Sequence, residues 1–127
     1  MHSFIRLVAA SALLAAAAGT AQADQLLGSY VARISGKDHR ASDGYPLDTA
    51  AQMVRQDRAN WHKFGRGDAE DEDDVWFTTT ASRVRLERML GRSGAMSAST
   101  RKAIVSGDPV VEVTVYANSV KVRVIGY

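Results

Sequence analysis

The C-terminal part of the chain carries the plainest alternation of apolar and polar positions. Val111, Val113 and Val115 alternate with Glu112, Thr114 and Tyr116. After Asn118-Ser119, Val120, Val122 and Val124 alternate with Lys121 and Arg123. A period of two with one valine face predicts an antiparallel hairpin packed on a core, although Asn-Ser is a weaker turn signal than Asn-Gly. A further strand is expected over Leu26 to Ser35, where Tyr30, Ala32 and Ile34 share a face. It would pair with an edge of the hairpin, because a lone strand has nowhere else to place its backbone donors.

Between these strands the period lengthens. At about 100° per residue, Ala50, Met53, Val54, Trp61 and Phe64 form one stripe. A helix is therefore expected from Pro46-Leu47-Asp48 to Phe64, with Asp48 as N-cap and Gly65 as its stop. Asp57 falls in the middle of this stripe, while Arg55, Arg58 and Asn60 point elsewhere. Thr80 is expected to cap a second helix, Ala81 to Leu90, with Leu86, Met89 and Leu90 on its apolar side. Ser99 is expected to cap a third, Thr100 to Val105, ended by Gly107-Asp108-Pro109. The order of strand, three helices and two strands predicts an α+β fold. A small antiparallel sheet, made of the N-terminal strand and the C-terminal hairpin, would pack against two or three helices.

The first residues read as an address. Leu7 to Ala18 is apolar but short for a membrane span, and Ala21-Gln22-Ala23 is a small-x-small cleavage pattern. Residues 1–23 are expected to be a cleaved signal peptide and residues 24–127 a single small α+β domain. No later segment reaches membrane-spanning length. The expected address is the periplasm or the exterior of a Gram-negative bacterium. The chain has no cysteine, which excludes disulfides, thiolate chemistry and cysteine metal sites.

Charge changes the picture. There are 16 Lys and Arg against 14 Asp and Glu. Six of the carboxylates, Asp68, Glu70, Asp71, Glu72, Asp73 and Asp74, lie in one loop. The basic excess is densest at Arg83, Arg85, Arg88, Arg92, Arg101 and Lys102, which face only Glu87 in sequence. Such a patch can meet an unidentified protein, an anionic envelope component, or the chain's own acidic loop, and the last is the plainest reading. The acidic loop could instead supply oxygens to calcium, although its spacing does not match an EF-hand.

Asp57 must be paired, hydrogen-bonded or protonated if it sits on an apolar face. It reads either as an arginine's partner, as a cap on loop N–H groups, or as a buried acid working with His39 or His62. No nucleophile motif or phosphate-cradling glycine loop accompanies it. Tyr30, Trp61 and Trp76 read as core residues rather than a stacking platform, which argues against nucleic acid. The run Arg55-Gln56-Asp57-Arg58-Ala59-Asn60-Trp61-His62-Lys63-Phe64-Gly65, with Glu70 to Asp74 after it, resembles a family of small exported proteins of Gram-negative bacteria with no known function. That resemblance implies an envelope address and no catalytic residue.

The expectation is a binding or interaction protein rather than an enzyme, with Asp57, Arg83, Arg85 and Arg88 as candidate binding residues and no required cofactor. The alternatives are a calcium-responsive domain using residues 68–74, and a small hydrolase using Asp57 with a histidine.

Overall fold

The computed structural model describes residues 24–127, and the expected signal segment 1–23 lies outside the described residues. Strand β1 runs Leu26–Arg33, helix α1 Ala50–Phe64, helix α2 Thr80–Leu90, helix α3 Ala98–Ser106, strand β2 Val110–Tyr116 and strand β3 Val120–Gly126, with a 3₁₀ turn at Gly36–His39. The three strands form an antiparallel sheet in the order β1-β2-β3. The expected α+β architecture is the one observed. No helix among the described residues is long and apolar enough to cross a membrane.

Alternation decides which face of the sheet is covered. Val113 on the central strand pairs with Tyr30 on one side and Val122 on the other, and all three are buried. Met53 and Val54 of α1, Leu86, Met89 and Leu90 of α2, and Ile104 of α3 pack on this row with Phe77. Burying these side chains is the main stabilising term, roughly 1.5–3 kcal/mol for each large one. The expected aromatic anchor at Val75-Trp76-Phe77 resolves unequally. Phe77 is buried and meets Tyr30 edge-on at 6.2 Å, Trp76 is half-buried, and Val75 is exposed.

Helix caps fall within two residues of the expected ones, one later for α1 and one or two earlier for α2 and α3. Thr49, not Asp48, caps α1: its hydroxyl accepts from the Gln52 N–H, and Gln52 Oε1 accepts from the Thr49 N–H. Thr79, not Thr80, caps α2 through Ser82, and Ser97, not Ser99, caps α3 through the Thr100 N–H. In each case the capping oxygen reaches the N–H three residues on. Gly65 does end α1, in the left-handed conformation at φ +63°. The first strand stops at Arg33 because Ser35 already opens the 3₁₀ turn, where its N–H donates to Asp38 Oδ2.

The hairpin turn lacks a left-handed residue. Distant groups hold it instead. Asp24 accepts from the Asn118 N–H and the Ser119 hydroxyl, Arg85 donates to the Ala117 carbonyl, and Arg92 donates to the Asn118 carbonyl. A weak local turn signal is thus compensated by four hydrogen bonds with three residues far away in sequence.

Candidate functional site

The acidic loop turns inward, onto β1 and α1. Beyond β2, strand β1 has a second edge whose N–H groups need partners. The loop supplies them. Glu72 Oε1 accepts from the Val31 N–H at 2.8 Å, and the Glu72 N–H donates to the Val31 carbonyl at 2.8 Å. Asp71 Oδ1 accepts from the Arg33 N–H at 2.8 Å. Two carboxylates therefore stand in for a neighbouring strand. Alongside, Glu70 pairs with Arg33, and Asp68 with Lys37 and the Ser35 hydroxyl. Asp73 accepts from the Trp61 indole N–H at 2.8 Å.

The expected partnership between this loop and the arginines of the second helix is overturned. The loop's cationic partners are Arg33, Lys37 and Arg58, and His62 also bonds it. Its carboxylates fan out to separate donors, and among the described residues no three His, Asp or Glu side chains converge as a metal would require.

Asp74 is the loop's innermost acid. Its two oxygens accept from Arg58 Nη1 at 2.9 Å, His62 Nε2 at 2.6 Å, and the Trp76 and Phe77 N–H groups at 2.9 and 2.7 Å. Burial pushes its carboxyl up, but the hydrogen bonds from His62, the Phe77 N–H and Arg58 outweigh this and hold it below the usual range.

Asp57 sits beside it with a different balance. It is 1% exposed, and Arg58 Nε donates to it at 2.8 Å. Burial pushes its carboxyl well up, and the Arg58 charge only partly opposes this. Neither histidine reaches it: His62 bonds Asp74, and His39 Nε2 meets the Ile104 carbonyl at 2.7 Å.

Arg58 and Asn60, which the period places off the apolar stripe, are nonetheless buried. Arg58 is 0% exposed and lies over the Tyr30 ring, 4.2 Å from its centroid. Asn60 is buried and donates to Asp38 Oδ1 at 2.9 Å. Helix α1 is covered on two sides, by the helices and sheet on one and by the acidic loop and 3₁₀ turn on the other. Its polar side is therefore interior as well. Phe64, placed on the apolar stripe, is 37% exposed at the helix end.

The candidate arginines divide. Arg85 and Arg88 are exposed on the outer side of α2, with Arg92 one turn on. The spacing of three residues puts Arg85 and Arg88 on one stripe of α2, and Arg92 lies just past the helix end, by the same hairpin turn that Arg85 reaches. Arg85 and Arg92 bond the hairpin-turn carbonyls, and none of the three lies within ion-pair distance of a carboxylate among the described residues, the nearest counter-charge to Arg92 being Asp24 at the same turn. Arg83 faces the other way. It is 5% exposed and donates to the Phe77 carbonyl at 3.1 Å. It lines a cleft of about 600 Å³ between α1, α2 and the loop around Ser42.

Comparison with protein-family models, curated proteins and solved structures found no match to this chain. The site therefore rests on its own geometry. The sequence singled out the acidic loop, Asp57 and the arginines. It missed Arg58, Asp38 and Asn60, because no periodicity marks a polar residue that a later loop will cover.

Proposed function

We propose that this protein works by binding, as a small exported domain whose α2 face engages an anionic component of the cell envelope. The observation that carries this reading is the position of the acidic loop. The chain's own best counter-charge for Arg85, Arg88 and Arg92 is bonded to β1 and α1 instead. Arg85 and Arg88 on α2, with Arg92 just beyond it, then present positive charge outward, where it attracts anionic surfaces and polymers. The leader-like first residues support the envelope address. Asp57, enclosed and bonded to Arg58, supports a part in holding the fold more than one in catalysis.

Each Lys or Arg near an anionic membrane surface contributes roughly 1 kcal/mol. The purified protein should co-sediment with phosphatidylglycerol vesicles in low salt and not with phosphatidylcholine vesicles. The Arg85→Glu/Arg88→Glu pair should weaken that binding at least tenfold. Unchanged affinity in the folded double variant would sink the proposal.

A further inference from the structure

Arg83 is a buried cation without a buried anion. A guanidinium removed from water is normally matched by a carboxylate, as Arg58 is by Asp57 and Asp74. Arg83 has no carboxylate within ion-pair distance among the described residues. Its partners are the Phe77 carbonyl at 3.1 Å and the Thr80 hydroxyl at 3.5 Å. Its surroundings make the imbalance worse. Burial, and then the neighbouring Arg55 charge, pull its pKa down, and the Asp74 carboxylate, outside ion-pair distance, only partly opposes them. The cleft it lines also holds Arg55, Lys63, Thr80 and Ser42. Of the two carboxylates there, Glu87 is bonded to Arg55 at 3.1 Å, and Asp43 accepts from the Tyr45 N–H at 3.1 Å.

We propose that this cleft is a ligand site for the phosphate group of a small phosphorylated compound, with Arg83 at its floor and Arg55 and Lys63 at its sides. The donor arrangement favours phosphate over carboxylate. A carboxylate is planar and is best held by the open fork of one arginine. The fork of Arg83 is already engaged by a carbonyl and a hydroxyl. What remains are single donors on separate elements: Arg55 and Lys63 from α1, and Thr80 and Arg83 from α2. Donors converging from several directions suit a tetrahedral group with three free oxygens and up to two negative charges. The site lies on the opposite side of α2 from Arg85 and Arg88, so it stands or falls separately from the envelope-binding face.

The probe is inorganic phosphate, titrated into the purified protein at constant ionic strength and followed by amide chemical shifts. Saturable shifts are expected at residues 41–47, along the cleft side of α1 and at the start of α2. Arg83→Gln should weaken the phosphate affinity at least tenfold. Lys63 is exposed and makes no side-chain hydrogen bond among the described residues. Lys63→Ser should therefore keep the fold and still weaken phosphate several-fold, which guards against an Arg83 variant that fails to fold. Shifts centred on Arg85, Arg88 and Arg92, or none that saturate, would overturn the site. Acetate binding as strongly as phosphate would overturn the phosphate assignment.

Discussion

Asp74 shows how much one side chain can organise. Arg58, His62 and two backbone N–H groups all converge on it. Breaking a buried ion pair from one side leaves the partner's charge unmatched, which costs about 3–5 kcal/mol. Asp74→Asn should therefore destabilise by roughly 3 kcal/mol in urea denaturation. Asp57→Asn should cost clearly less, since burial already favours its uncharged form and Arg58 keeps Asp74; equal losses would show that the two acids share the charge evenly. Asp38 adds a pH dependence of opposite sign to Asp74. Burial pushes its carboxyl up to about 6, against hydrogen bonds from Asn60 and the Ser35 N–H. An acid with a raised native pKa binds its proton more tightly when folded, so its contribution is full below the unfolded value and is lost as pH rises through about 6. Stability should fall by up to about 3 kcal/mol between roughly pH 4 and 6, and Asp38→Asn should flatten that fall. Asp74 works the other way, its stabilisation fading as acid protonates it. Asp57 was legible in the sequence because an acid on an apolar stripe is conspicuous. Asp38 was hidden in a stretch that reads as an ordinary polar turn.

At the scale of elements, the acidic loop acts as a substitute strand. Truncating Asp71→Ala and Glu72→Ala removes both side-chain acceptors from the β1 N–H groups, so the pair should lose roughly 2–4 kcal/mol. It should also expose an unpaired edge, and sedimentation should then show concentration-dependent association that the parent chain lacks. A destabilised but strictly monomeric variant would argue that the edge is protected by something else. Gly67 serves the same loop, because a Cβ there would come within 2.4 Å of the Trp61 ring. Gly67→Ala should therefore displace the indole from Asp73 and cost on the order of 2 kcal/mol, readable as a lower denaturation midpoint. The hairpin, the first strand and the first two helices were legible from their apolar faces, and the third helix from its start and stop signals. The loop's destination was not. Six carboxylates specify that counter-charges and donors are needed, but which donors they meet depends on how β1 and α1 are brought together.

At the scale of the whole molecule, the fold separates its charges. The acidic loop lies against β1 and α1, and the outer arginines of α2 lie by the hairpin turn. That separation is the central claim of the functional reading, and vesicle binding tests it most directly. Affinity for phosphatidylglycerol vesicles in low salt should be compared for the parent chain, Arg85→Glu/Arg88→Glu, and Glu70→Gln. The account predicts at least a tenfold loss for the helix pair and less than about a twofold change for the loop variant. It also predicts that binding fades as salt is raised, because exposed charges are screened over about 10 Å at 0.1 M. Helix variants that bind as tightly as the parent, or a loop variant that binds many times more tightly, would contradict it. The first result would mean that α2 is not the contact, and the second that the acidic loop shields it.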